Sequence, residues 1–137
     1  MVKRTPEQAE ETRRTILAAA RHLFETKGYT DTSIAAIVDE AGTTKGALFY
    51  HFASKEALFR EVWTAVQLEM DAETRAAAAA AISPTDPYAA FLAGTRVYFN
   101  WASTEAYQRI VLTDGRAVMG LERWQETDDR LGRNNVA

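Results

Sequence analysis

A short polar run in the first half of the chain carries the side chains with the clearest chemistry. The run Thr43-Thr44-Lys45-Gly46-Ala47 combines hydroxyls, an ammonium group and two very small residues, and Tyr50 and His51 follow it closely. A bulky aliphatic face would hold a helix away from base edges, whereas small and polar side chains can exchange hydrogen bonds with them. The run is therefore suited to contact with the major groove of DNA, and Gly46 would let the backbone approach closely.

Three further side chains near this run could meet phosphate. The hydroxyls of Thr32 and Ser33 lie where a helix is predicted to begin, and helix N-termini favour anions. Lys55 stands in the predicted first turn of a later helix, where an exposed cation opposes the helix dipole by about 0.3–1 kcal/mol. A phosphate that approaches this helix start would explain why a lysine stands at such an unfavourable position. The alternative is that Glu56 offsets the dipole while Lys55 faces water, and both interpretations stay open.

The elements that must position these residues are predicted to be helices. Thr5-Pro6-Glu7-Gln8 is typical of a capping box with proline at the first helical position. An apolar stripe from Ile16 to Phe24 continues this first helix, and Gly28 stands where a left-handed stop is expected.

Two short helices follow the first one. Thr32 or Ser33 can cap the second helix, which Gly42 ends, and Thr43-Thr44 opens the third, Lys45 to His51. Two short helices joined by a glycine turn, with a helix on each side, are the arrangement that places a recognition helix in the major groove. The sequence therefore predicts a helix-turn-helix motif over residues 33–52.

The second half of the chain also predicts helices. Ser54 caps a fourth helix that begins at Lys55, carries Ala57, Leu58, Val62, Ala65 and Val66 or Glu69 around successive turns, and continues through an alanine run towards residue 81. Later helices are predicted from Pro87 (capped by Asp86) to Trp101, from Glu105 to Leu112, and, beyond a break at Thr113-Asp114-Gly115, through Val118, Leu121 and Trp124; Gly132 to Ala137 shows no core pattern. No segment alternates as a strand would, so the predicted fold class is all-α.

Composition narrows the function classes. The chain has 137 residues, 47% of them apolar and 26% charged, with no apolar run that could cross a membrane, so we expect a cytoplasmic protein without a membrane partner. Cysteine is absent, which excludes disulfides and thiolate chemistry. His22 and His51 are far apart and lack carboxylate partners in sequence, so we expect no metal site, no cofactor and no enzymatic activity.

The net charge of −3 is distributed unevenly. Up to Arg60 the chain has nine basic and eight acidic side chains, and beyond Arg60 it has seven and eleven. The first half therefore permits a polyanionic partner, although a local cluster matters more to a phosphate than a total does.

The motifs in the first half resemble the N-terminal signature of the TetR family. The residues that carry the resemblance are Gly28-Tyr29, Thr32-Ser33-Ile34, Ile37-Val38, Ala41-Gly42 and the run from Gly46 to Phe59. The resemblance covers roughly Glu10 to Met70. It implies a three-helix DNA-binding domain over residues 10–70, followed by a helical ligand-sensing and dimerisation body over residues 71–137.

The resemblance also implies partners and contacts. The partners would be double-stranded operator DNA and a small-molecule effector. Base or phosphate contacts would come from Thr44, Lys45, Gly46, Ala47, Tyr50 and His51, and phosphate contacts from Thr32, Ser33 and Lys55. The sequence departs from the family pattern at Thr43, where an apolar residue is common, and at Phe49, where tyrosine is usual and its hydroxyl could meet phosphate. We include Thr43 among the candidate DNA-binding residues.

Aromatic residues in the second half could line an effector pocket, as in sensing bodies of the family. The candidates are Trp63, Phe91, Tyr98, Trp101 and Trp124, with core packing as the alternative for most of them. Arg96, Asn100, Gln108, Arg109 and Asp114 could supply polar groups, or could simply face solvent. The stretch from Tyr107 to Trp124 resembles a C-terminal subgroup of TetR-type regulators.

Length bears on assembly. TetR-type regulators usually carry two further long helices that pair across a homodimer axis, and this sequence stops about where they would begin. We therefore expect a truncated body, and whether such a chain forms the family's homodimer is an open question. The leading hypothesis is a ligand-released repressor whose helix Thr44 to His51 reads operator bases. The alternative is a helical module that binds an apolar ligand, or pairs with a longer relative, without binding DNA by itself.

Overall fold

A computed structural model describes residues 5–120, 123–126 and 129 of the chain. Its elements, in chain order, are α1 (Pro6–Lys27), α2 (Ile34–Ala41), α3 (Lys45–His51), α4 (Lys55–Ala80), α5 (Ala89–Ala102), α6 (Glu105–Tyr107), a π-helical segment (Gln108–Asp114) and α7 (Gly115–Met119). The predicted all-α fold class is confirmed. The predictions for Leu121 and for Gly132 to Ala137 lie outside the described residues.

Two compact units divide the chain between Val62 and Trp63, within α4 and before the predicted boundary at residue 70. We name the unit that ends at Val62 the head and the unit that begins at Trp63 the body. Across the described residues, no helix is at once long enough and apolar enough to span a membrane.

Local capping sets the start of α1. The Thr5 hydroxyl accepts a hydrogen bond from the Gln8 backbone N–H, and the Gln8 side chain accepts one from the Thr5 N–H. The predicted capping box is therefore confirmed. At the other end, Gly28 has φ 85° and ψ 168°. The positive φ suits glycine, but the predicted left-handed helical stop is wrong because ψ is extended.

The turn between α2 and α3 depends on Gly42. Its φ of 67° and ψ of 36° are left-handed, as predicted, and let the Thr43 N–H donate to the Val38 carbonyl. Ser33 caps α2 by accepting from the Ala36 N–H, and Thr44 caps α3 by accepting from the Ala47 N–H. Both short helices therefore begin and end at residues whose side chains or backbone freedom fix those positions.

The head is held together by an apolar core beneath α2 and α3. Phe24 from α1 and Phe59 from α4 are fully buried, and their rings meet edge to face with centroids 5.2 Å apart. Ile37 of α2 and Leu48 of α3 are also fully buried. Each such side chain contributes roughly 1.5–3 kcal/mol on burial, so the core fixes the inner face of each short helix.

The part of α4 that belongs to the body does not bury the predicted set. Val66 is buried as expected, but Ala65 and Glu69 are exposed, and Gln67 and Asp71 are buried instead. The predicted stripe therefore holds at Val66, which resolves the alternative between Val66 and Glu69, but it does not hold at Ala65. The buried face follows Trp63 at intervals of four residues and accepts polar side chains.

The start of α5 differs slightly from prediction. Asp86 accepts a hydrogen bond from the Tyr88 N–H through Oδ1, and its carbonyl accepts from the Ala89 N–H. This turn delays the helix to Ala89, so the prediction that Pro87 is the first helical residue is wrong. Further along, Gly94 is buried and approaches α4 closely, since a Cβ there would lie 3.4 Å from Thr74 Cγ2.

The helical break predicted at Thr113-Asp114-Gly115 is wrong, because the chain stays helical through Gly115. The π-helical segment runs directly into α7 through Gly115, which has helical φ −56° and ψ −45°. A Cβ on Gly115 would lie 2.7 Å from the Ile110 carbonyl oxygen and 2.7 Å from Trp63 Nε1. Glycine is therefore needed for close approach to the Trp63 indole, and not for a turn.

Candidate nucleic-acid interface

The outer face of α3 is the most exposed polar surface among the predicted contact residues. Thr44, Lys45 and Gly46 are exposed, and Tyr50 is 79% exposed, whereas Leu48 on the opposite face is fully buried. Gly46 has open space around it, since the nearest atom to an added Cβ would be Thr44 Oγ1 at 3.8 Å. The helix therefore presents small and hydrogen-bonding groups outward on a fixed apolar base.

Lys45 supplies the positive charge on this face. In the part of the chain that the structure describes, no carboxylate lies within ion-pair distance of its ammonium. Most other cations near the head core are engaged, such as Arg13 with Glu61 and Arg60 with Glu56. The Lys45 charge is therefore available to a phosphate or a base acceptor.

An open groove borders the second half of α3. It is lined by Ala9 of α1 and by Ala47, Tyr50 and His51 of α3. The rings of Tyr50 and His51 meet edge to face with centroids 4.9 Å apart, and His51 also lies beside the buried Phe52. His51 is thus half-buried and oriented by its neighbours, while the Tyr50 ring extends outward.

Thr32 and Ser33, both predicted to meet phosphate, are placed differently. Ser33 is exposed at the N-terminus of α2, where its hydroxyl caps the helix. Thr32 is only 1% exposed, and its hydroxyl donates to the Gly28 carbonyl at 2.7 Å. The predicted side-chain contact from Thr32 to phosphate is therefore corrected, because that hydroxyl is buried and used in closing the link between α1 and α2.

Lys55 fits neither of the two interpretations, a contact with phosphate or a side chain that faces water. Its ammonium donates to the carbonyls of Tyr29 at 3.0 Å and Thr32 at 3.1 Å, and lies 4.2 Å from the Tyr29 ring centroid. Burial, and secondly the Glu56 carboxylate, raise the pKa of the Tyr29 phenol above 10.0, which keeps that ring neutral. Lys55 therefore ties the start of α4 to the link before α2.

Thr43 and Phe49, the departures from the family pattern, also have distinct environments. The Thr43 hydroxyl is buried and has no hydrogen-bond partner among the described residues. Because this hydroxyl is buried, it does not face outward as the predicted contact with DNA would require. Phe49 is 49% exposed on α3 and presents an apolar ring where the family has a hydroxyl.

The predicted pocket aromatics differ in exposure and in their contacts. Trp63 is buried, whereas Phe91 is 71% exposed and Tyr98 is 40% exposed. Trp101 donates through Nε1 to Glu73, and Trp124 donates through Nε1 to the Val111 carbonyl. Gln67 and Asp71, which sequence reasoning missed, are buried in the body instead.

These features define the class of the molecule: a helix-turn-helix head whose second short helix faces outward, followed by a helical body. Residues 16–62 match the family of bacterial regulatory proteins of the tetR type, and residues 88–136 match the tetracyclin repressor-like C-terminal domain. A solved TetR-family transcriptional regulator from Pectobacterium atrosepticum is 36% identical with a TM-score of 0.72, and the match covers 96% of this chain and 72% of that one. The chain belongs to the TetR family of bacterial regulatory proteins.

Two further relatives differ in how much they share. The HTH-type transcriptional regulator AcrR of Shigella flexneri is 43% identical over 63 residues, which are 46% of this chain and 29% of AcrR. A solved gamma-butyrolactone receptor is 33% identical with a TM-score of 0.56, over 78% of this chain and 56% of the receptor. The matched segments thus span less than two thirds of either relative.

Proposed function

We propose that this chain is a transcriptional regulator that reads operator DNA with α3 and represses transcription until a small molecule binds the body. The observation that carries the proposal is the α3 face, where Lys45, Gly46 and Tyr50 lie outside while Leu48 is fully buried. A helix with this division can enter the major groove without losing its support in the core.

The chemistry of α3 supports two kinds of contact. Lys45 and Tyr50 can donate hydrogen bonds to base acceptors or phosphates, and the exposed Ser33 cap can do so at the start of α2. Lys55 acts in this proposal as a positioning residue, because its ammonium already holds two backbone carbonyls.

The body's role rests on the matches. The match to a repressor-like C-terminal domain and the similarity to a gamma-butyrolactone receptor support an effector site and repression. Helix-turn-helix proteins commonly bind two operator half-sites about 34–36 Å apart, one with each copy of the reading helix. We therefore infer that two copies of the head bind one operator.

The test is operator binding by the full chain, measured by fluorescence anisotropy on DNA from upstream of its own gene at several salt concentrations. We expect Lys45→Ala and Tyr50→Ala each to weaken binding by about 1–3 kcal/mol if they contact bases. If the Lys45 ammonium contacts a phosphate, Lys45→Ala should reduce the slope of log K against log salt concentration by about one.

Lys27→Ala is the matched control, because it removes the same charge from an exposed lysine in the last turn of α1. The control should bind DNA as the unaltered chain does. If Lys45→Ala and Tyr50→Ala both bind as tightly as the control, α3 is not the reading helix and the proposal fails.

A further inference from the structure

A stripe of polar side chains runs along the buried face of α4 in the body. Trp63, Gln67, Asp71 and Thr74 are spaced by four, four and three residues, which places them on one face of the helix. Trp63 and Gln67 are each 1% exposed and Asp71 is 7% exposed. We name these four residues the α4 polar stripe.

Each member of the stripe has a buried polar atom without a hydrogen-bond partner among the residues that the structure describes. These atoms are Trp63 Nε1, Gln67 Nε2, Asp71 Oδ1 and Thr74 Oγ1. A buried polar group left unpaired is unfavourable, and folded proteins contain few of them. Four in successive turns of one helix are therefore concentrated where a purely structural helix would carry apolar residues.

The partial contacts of the stripe show which atoms are available. Gln67 Oε1 accepts a hydrogen bond from the Tyr107 hydroxyl at 3.3 Å, so the Gln67 side chain is oriented and its amide nitrogen is left as a donor. Asp71 Oδ2 lies 3.1 Å from Arg75, which balances the carboxylate charge and leaves Oδ1 as an acceptor.

The surface opposite this face is also unusual. Tyr107 immediately precedes the π-helical segment Gln108–Asp114, and Gly115 at its end lies against the Trp63 indole. Long π-helical stretches are rare, and short ones occur often at functional sites. Buried Val66, Met70 and Ile110 provide apolar surroundings. A donor on Gln67 and an acceptor on Asp71, four residues and therefore about 6 Å apart along the helix axis, thus lie in an apolar setting.

We propose that Gln67 and Asp71 of the α4 polar stripe bind the effector, and that the effector is a neutral, largely apolar molecule with a hydrogen-bond acceptor beside an N–H or O–H donor, as in a carboxamide. Gln67 Nε2 donates to the acceptor, and Asp71 Oδ1 accepts from the donor. A neutral donor is favoured over a cation because Arg75 already faces the carboxylate. This inference rests on the proposed function, since it assigns the chemistry of the effector site.

The binding test uses the full chain and two series of probes: primary carboxamides from butanamide to decanamide, and the methyl esters of the same acids. Esters keep the acceptor but lack the donor. Calorimetry and tryptophan fluorescence should show at least one carboxamide binding roughly ten to a hundred times more tightly than its ester, as expected for one hydrogen bond to a charged acceptor. Binding by none of the carboxamides, or equal binding of both series, would overturn the proposal.

Substitution separates a ligand site from a structural one. Asp71→Leu should remove the preference for amide over ester and raise the melting temperature of the ligand-free chain, because an unpaired buried oxygen is replaced by apolar atoms. Arg75 is 48% exposed and can return to solvent. A lowered melting temperature, or an unchanged preference, would assign Asp71 a structural role. Glu69→Gln on the exposed face of α4 is the matched control and should change neither property.

Operator binding by the same variants distinguishes the two proposals. Asp71→Leu should bind operator DNA as the unaltered chain does, but a bound carboxamide should no longer release it. If Lys45→Ala and Tyr50→Ala both leave operator binding intact, the proposed function fails while the ligand measurements stand. If operator binding depends on Lys45 but the amide preference survives Asp71→Leu, this inference alone fails.

Discussion

The head and the body treat buried polar groups in opposite ways. In the head, the Thr32 hydroxyl and the Lys55 ammonium are buried or half-buried, and both donate to backbone carbonyls of the link between α1 and α2. In the body, four neighbouring side chains of α4 each have a buried polar atom that finds no hydrogen-bond partner among the described residues. The Thr43 hydroxyl is an exception among the described residues of the head. A scaffold that must hold its outer surface rigid satisfies its interior, whereas a ligand site keeps unsatisfied groups inside.

Aromatic residues show the same contrast. The head packs Phe24 and Phe59 against each other in its core, and both are fully buried. Along α5 in the body, Phe91 is 71% exposed and Phe99 is 64% exposed. Aromatic content alone therefore does not identify the core, and equal substitutions in the two regions should have very different effects.

The largest expected effect comes from the head core. Phe24→Ala should lower the free energy of unfolding by about 3–5 kcal/mol, because it removes a fully buried ring and leaves a cavity beside Phe59. The matched substitution Phe91→Ala in α5 should change it by no more than about 0.5 kcal/mol. Urea unfolding followed by circular dichroism measures both, and comparable losses for the two variants would contradict the contrast.

Local signals account for what the sequence predicted correctly. The starts of α1, α2, α3 and α4 depend on hydroxyl caps within three residues of the amides they hold: Thr5, Ser33, Thr44 and Ser54. The end of α2 depends on the left-handed conformation of Gly42. Such signals are visible in sequence because the interacting groups are neighbours in the chain.

The errors arose where residues distant in the sequence determine whether a side chain is buried. Thr32 and Ser33 are both good caps, and only burial of Thr32 against the rest of the head separates them. The different exposures of Trp63 and Phe91 likewise depend on packing, which their neighbours in the sequence do not reveal. Gln67 and Asp71 did leave a signal, because they stand four and eight residues after Trp63 on a face that also carries Val66 and Met70. Polar residues at core positions of an amphipathic helix could have identified them.

Substitutions of two glycines, one in the body and one in the head, should change stability in opposite directions and by less than Phe24→Ala does. Gly115→Ala should destabilise the body by about 1–3 kcal/mol, because the added Cβ would lie 2.7 Å from both the Ile110 carbonyl oxygen and Trp63 Nε1. Gly46→Ala on α3 meets nothing closer than 3.8 Å and should stabilise the head by up to about 1 kcal/mol through helix propensity. Thermal unfolding measures whether each substitution lowers or raises the melting temperature. A stabilising Gly115→Ala would show that the indole and the π-helical segment are not in close contact.

Substitutions of Ser33 have small expected effects on stability and separate folding from DNA recognition in the head. Its hydroxyl caps α2 through the Ala36 N–H at 3.0 Å, so Ser33→Ala should cost about 1 kcal/mol of stability. Ser33→Asp keeps a capping oxygen and should leave stability nearly unchanged, but it places a negative charge where the proposed function puts phosphate. We therefore expect Ser33→Asp to melt like the unaltered chain while losing operator affinity, with a loss that shrinks as salt screens the repulsion. If Ser33→Asp binds operator DNA as tightly as the unaltered chain at low salt, the start of α2 does not face the DNA backbone, and the interface is confined to α3.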